Sequence, residues 1–215
     1  MTMTTDTTVL DGLDFPTPGL AVPDEVADLL FRQARTIAAF TPDDVTDEQL
    51  AAAYDLAKWG PTAMNTVPLR LLVVRTPEAR ERLARHMAEG NRQRVLDAPV
   101  SIVLAADPRF HDHLPTLAPH RAPMASVLED QPETREQMAR TNALIQAGYL
   151  IVGLRAAGLD TGPMGGMDAA AIDREFFAEN GWKSLFVVNV GHRDGEGTTY
   201  PRAARLDYAQ ASLTV

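Results

Sequence analysis

The stretch that most constrains this chain is ALIQAGYLIVGLRAA, residues 143–157, which is apolar nearly all round at helical length. A helix without a polar face has no stable place on a surface, so this one is expected to run through the core. Upstream it continues into a more polar half, which predicts one long helix over Glu133–Ala157, closed by Gly158. Its most apolar part, residues 143–154, carries Gln146 and is too short to span a bilayer. Enclosing such a helix takes a sizeable domain. At 215 residues the chain buries roughly 70% of the surface its unfolded form exposes, so no covalent staple is required. None is available, because the sequence has no cysteine. Disulfides, thiolate metal sites, cysteine-ligated clusters and cysteine nucleophiles are excluded together.

Three short apolar runs read as strands: residues 70–75 (RLLVVR), 99–106 (PVSIVLAA) and 184–190 (SLFVVNV). Around them the periodicity predicts helices over 24–39, 46–59, 77–89 and 169–177. The second is the best marked. Thr46 reads as its N-cap, Gln49 completes a capping box, Val45 and Leu50 suit a hydrophobic staple, and Gly60-Pro61 ends it. Residues 1–20, rich in Thr, Pro, Gly and Asp, read as a flexible arm, followed by a single domain over 21–215. Strands and helices do not alternate strictly, so the class is α+β. Residues 107–132 shift to His, Pro, Asp and Met without periodicity, the composition of a lid or ligand-facing excursion.

With 29 acidic against 20 basic residues, the net charge of -9 repels a phosphate backbone, so no nucleic-acid partner is expected. The polar start, Met1–Thr8, carries no signal-peptide pattern, and the chain reads as cytoplasmic with no membrane partner. Neither GxGxxG nor GxxxxGK[ST] occurs. The glycine cluster is GLDTGPMGG, Gly158–Gly166, which suits either a helix cap with turns or a backbone brought close to a ligand. His111 and His113 form an HxH pair with His120 nearby. On a strand they would share a face, but a third ligand at useful spacing is lacking, so a solvated loop is the alternative and no metal is expected. Arg32 with Arg35, and Arg202 with Arg205, are either surface pairs or phosphate contacts. No side chain stands out as a nucleophile, which leaves a cofactor to carry any chemistry.

Five segments together resemble the FMN-dependent nitroreductase family. They are ARTIAAF (34–40), VTDEQLAAAYDLAKWGPTAMNTVPLRLLVVRT (45–76), GYLIVGLRAAGLDTGPMGGMD (148–168), KSLFVVNVGH (183–192) and YPRAARL (200–206). The resemblance is nearest to the malonic semialdehyde reductase branch and its NADH dehydrogenase/NAD(P)H nitroreductase relatives. It runs from Arg32 to about Ala211. It implies a mainly antiparallel sheet flanked by helices, and an obligate homodimer with FMN at the interface. It further implies a phosphate site at Arg35, Thr36 and Arg205, with Arg32 and Arg202 beside them. Flavin contacts would come from Pro61, Thr62, Ala63, Met64 and Asn65, and from the turn Pro163, Met164, Gly165 and Gly166. The activity implied is ping-pong reduction of a small electrophile (nitroaromatic, quinone or aldehyde such as malonic semialdehyde) by NADH or NADPH, with hydride passing through flavin N5. A non-catalytic flavin carrier or sensor is the alternative. His111, His113, His120 and Arg121 are candidates for touching an acidic substrate. Three positions depart from the common pattern: Ala34 precedes Arg35 where a second arginine is usual, Gly165 stands where Glu is usual, and Thr66-Val67-Pro68 replaces Gln-Pro-Trp.

Overall fold

The computed structural model describes residues 19–197 and 200–215, in two compact units divided between Ala34 and Arg35. Most of the expected arm, residues 1–18, lies outside the described residues. The described part of the first unit is a helix, α1 (Asp24–Ala27), that widens into a π-turn over Asp28–Arg32. The helix expected over 24–39 is therefore shorter. The residues that follow belong to the second unit, where β-branched Thr36 and Ile37 are drawn into sheet pairing instead: Ile37 N–H donates to Thr161 O at 2.9 Å.

In chain order the second unit contains α2 (Asp47–Ala57), β1 (Leu69–Val74), α3 (Pro77–Arg85), α4 (Glu89–Asp97) and β2 (Val100–Ala106). Then come the short helices α5 (Leu114–Leu117) and α6 (Met124–Glu129), the long α7 (Pro132–Ala156), β3 (Asp160–Met164), α8 (Ala169–Phe176), β4 (Lys183–Gly191) and α9 (Tyr208–Ala211). The α2 capping box is present as expected. Thr46 N–H donates to Gln49 Oε1 at 2.9 Å, and Gln49 N–H to Thr46 Oγ1 at 3.2 Å.

The four strands form one antiparallel sheet in the order β1-β2-β4-β3. Every residue of β2 is buried. Its side chains alternate between two apolar layers: Ile102 and Leu104 join Leu150 and Leu154 of α7, while Val103 and Ala105 join Leu83, Val95 and Ile172 of α3, α4 and α8. The fold is thus helices on both faces of a central sheet.

Three local expectations are corrected. The glycine cluster is not only a helix cap and turns, because residues 160–164 form edge strand β3, where Gly162 and Pro163 are tolerated. The helix expected over 77–89 ends at Arg85, and after a break at His86–Ala88 a separate helix that the sequence reading did not expect, α4, begins at Glu89. Backbone groups there leave the helix to meet the glycine turn: Ala88 N–H donates to Gly166 O at 2.9 Å, and Asp168 N–H to His86 O at 2.7 Å. Finally, α7 is not sheathed all round: Leu144, Ile145 and Tyr149 are 42%, 42% and 47% exposed on one stripe.

Candidate functional site

Edge strand β3 separates two clusters of polar groups. At its start, Thr36 bridges Thr161 on the open edge, which brings Arg35 to the sheet. Arg35 Nη2 then donates to Tyr200 O at 2.6 Å, joining the early arginine to the C-terminal segment that carries Arg202 and Arg205. Arg205 is exposed and spends its Nη1 on the carbonyls of Ala203 and Ala204, at 3.1 and 3.0 Å. Thr161 Oγ1 is buried here without a hydrogen-bond partner. In the first unit, Arg32 is engaged locally, with Asp24 at 2.7 Å and Asp28 at 3.2 Å.

Past the other end of β3 comes the exposed turn Gly165–Gly166. The Gly166 carbonyl is pinned from behind by Ala88 N–H and by Asn91 Nδ2 at 3.1 Å. Among the described residues, neither the Gly165 nor the Gly166 N–H donates to another group, so the turn offers two free donors. A side chain at Gly166 would crowd this support, since an added Cβ comes within 2.9 Å of Asn91 Nδ2.

The loop after α2 is the third component. Ala63–Asn65 form a single 3-10 turn in which Met64 and Asn65 have φ of 55° and 53°, and Val67 follows at 40°. A β-branched residue in the left-handed region is strained, so the loop must be held from outside. It is held by α7. Ala63 N–H donates to Asn142 Oδ1 at 2.6 Å, and Leu69 N–H to Gln146 Oε1 at 3.0 Å. Thr62 Oγ1 accepts from Val67 N–H at 3.2 Å, Met64 packs on the core, and Asn65 Nδ2 donates to Leu117 O at 2.8 Å. Sequence reading missed Asn142, Gln146 and Asn91. The signal available for the first two was polar residues one turn apart on an otherwise apolar helix.

The chain as a whole is similar to known proteins. The model of the Nitroreductase family matches residues 31–192. The chain belongs to the nitroreductase family. A protein of Streptomyces griseus named "Putative NADH dehydrogenase/NAD(P)H nitroreductase" is 49% identical over 188 residues, 87% of this chain and 95% of that one. A protein of the same name from Leptothrix cholodnii is 50% identical over 182 residues, 85% and 92% of the two chains. Among solved structures, a nitroreductase family protein of Streptococcus pneumoniae superposes with a TM-score of 0.72 at 19% identity, covering 86% of this chain and 98% of that one. An Exiguobacterium sibiricum protein crystallised in complex with FMN gives 0.73 at 19% identity, covering 88% and 97%.

In this chain the excursion over 107–132 is a set of short helical turns, so the HxH pair does not lie on a strand face. His111 is 1% exposed, whereas His113, His120 and Arg121 face solvent. His111 Nε2 lies 2.6 Å from Glu129 Oε2 and 2.9 Å from Arg135 Nη1, while its Nδ1 is buried without a partner. His111, Asp112 and Glu129 place ligand atoms within 4.8 Å of one another, but Arg109 and Arg135 already supply the positive charge among them. The contact with His111, followed by Arg109 and Arg135, holds the Glu129 carboxyl below its ordinary range. On the opposite face of the sheet, hydrogen bonds from Arg82 and then His86 lower Glu175 in the same way. Among the described residues no helix is long and apolar enough to cross a membrane.

Proposed function

We propose that this chain is an FMN-dependent NAD(P)H oxidoreductase, acting as a homodimer, that reduces a small electrophile by two electrons. A nitroaromatic, a quinone or an aldehyde such as malonic semialdehyde fits this description. The observation that carries the reading is the placing of Arg35, tied to the segment that carries Arg205, and of a donor-rich glycine turn at opposite ends of one edge strand. FMN asks for that separation, with an anionic phosphate at one end and an electron-accepting ring at the other. The orphaned Thr161 hydroxyl and the two undonated glycine N–H groups fit such a ligand, because each gains a partner when it binds. Bound FMN would supply reversible two-electron chemistry at N5. The protein's part is electrostatic. Arg35 and Arg205 neutralise the phosphate, while N–H groups at Gly165–Gly166 favour negative charge on the ring edge. The names of the relatives from Streptomyces griseus and Leptothrix cholodnii and the FMN complex of the structural neighbour support the same reading.

The homodimer rests on the open stripe of α7. Leu144, Ile145 and Tyr149 are flanked by exposed Leu56 and Trp59, where the Gly60 backbone lies against the Tyr149 ring. The C-terminal segment adds exposed Tyr200, Leu206, Tyr208 and Leu213. An exposed apolar stripe like that of α7 marks a protein interface. Ile145→Asp is therefore expected to shift the chain from twice 23.4 kDa to 23.4 kDa in multi-angle light scattering. A wild-type protein that is monomeric at micromolar concentration would refute the dimer.

The activity is tested by anaerobic titration of FMN-loaded protein with NADH or NADPH. Bleaching of the flavin band, with reoxidation by menadione, a nitroaromatic or malonic semialdehyde, is the expected result. FMN that binds but does not bleach would leave a flavin carrier.

A further inference from the structure

We infer that a second binding feature adjoins the glycine turn: an anion subsite, built by Arg85 and Arg92, that takes a carboxylate or phosphate of a small molecule reacting there. This rests on the reading above for what reacts, but the subsite itself stands on its own geometry. The break between α3 and α4 and the turn at Gly165–Gly166 enclose a concavity of ≈ 530 Å³. Its wall carries Arg85, His86 and Arg92 on one side and Gly165, Gly166 and Asp168 on the other.

In a chain with a formal charge of -9, two arginines and a histidine in one concavity need a reason. Local ion pairing does not supply it. Arg92 Nε is anchored to Met87 O at 3.1 Å, and no carboxylate among the described residues forms an ion pair with it. Arg85 has only a loose approach to Glu175, at 3.7 Å. The Glu175 oxygens are taken by Arg82 Nε at 2.7 Å and by His86 Nε2. Asp168, the acidic group of the wall, is engaged as the N-cap of α8, accepting from Ala171 N–H at 2.9 Å. Two exposed guanidinium groups therefore border a concavity whose other wall is the exposed glycine turn. A guanidinium with an unpaired fork is the side chain best matched to a carboxylate or phosphate. The helix break that forms this wall is the one that pins Gly166, so an anion held here lies beside the turn.

Two sources carry such a group: an acidic electron acceptor, or the 2′-phosphate that distinguishes NADPH from NADH. The test compares wild type with the Arg85→Gln/Arg92→Gln double variant, both exposed positions, leaving His86 on Glu175. Calorimetric titration with 4-nitrobenzoate and, separately, with adenosine 2′,5′-bisphosphate reads the subsite without turnover. One of the two probes is expected to bind wild type and to lose about tenfold or more in affinity in the double variant, as for loss of a charge-assisted hydrogen bond. In steady-state assays the same class shows a raised KM, for 4-nitrobenzoate against nitrobenzene or for NADPH against NADH, with kcat unchanged. A response to 4-nitrobenzoate assigns the acceptor; a response to the bisphosphate assigns the donor. Equal affinities of both probes for the two proteins would overturn the subsite. A wild type whose flavin does not bleach would overturn the activity and leave the calorimetric result intact.

Discussion

Replacing Gly162 by alanine is expected to lower the melting temperature by about 6–12 °C, which corresponds to about 3 kcal/mol in a chain of this size. Gly162 lies in the middle of β3, with the segment after Arg35 running along its outer edge. A Cβ added there falls 2.3 Å from the Ile37 carbonyl oxygen, a backbone atom tied by Ile37 N–H to Thr161 O at 2.9 Å. No rotamer change relieves that clash. The Thr36–Ile37 segment must move off the sheet edge, and Ile37, which is 2% exposed, loses its buried place. Differential scanning calorimetry of the FMN-free protein reads the effect without ligand linkage. Gly165→Ala is the matched control, because nothing lies within 4 Å of a Cβ there and its melting temperature should stay close to wild type. A Gly162→Ala protein as stable as that control would show that the edge segment is not fixed against β3.

This edge marks the limit of what the sequence reveals. Strands β2 and β4 were readable because burial selects apolar runs such as SIVLAA and SLFVVNV, and β1 because its centre, LLVV, is apolar and β-branched. Helix α2 was readable because its capping box is local. Strand β3 was not, because DTGPM has strand composition at neither glycine nor proline, and its pairing comes from β4, some 25 residues on. The break between α3 and α4 was hidden for a similar reason: His86 and Ala88 answer to Asp168 and Gly166, about 80 residues away. His111 looked solvated because Glu129 and Arg135, which surround it, lie on later helices. The open stripe of α7 was misread as core because apolarity alone does not separate a face covered by the chain from one left exposed. Of the candidate site, the glycine turn and the arginines were legible as residue types. The helix break that supports the turn, and the polar groups of α7 that hold the strained loop, were not.

The second large effect concerns Arg205 and Arg35. Arg205→Ala is expected to weaken FMN binding by about 1.5–3 kcal/mol, roughly 10- to 150-fold in Kd, the contribution of a charge-assisted hydrogen bond. Arg205 now donates to carbonyls of its own segment, and Arg35 to Tyr200 O. A phosphate would replace these neutral acceptors with anionic ones, which is where the free energy arises. Arg35→Ala should lose at least as much, because it also releases the Tyr200 segment that carries Arg205. The two losses should then be less than additive, since both residues serve one group. Fluorescence titration of the apoprotein with FMN and with riboflavin separates charge from ring contacts. Affinity for FMN should fall while affinity for riboflavin, which lacks the phosphate, should not. A variant that keeps stoichiometric FMN through dialysis, or that loses both ligands equally, would place the phosphate elsewhere. Arg32→Ala supplies the contrast: its guanidinium is held by Asp24 and Asp28 in the first unit, so FMN affinity should change little.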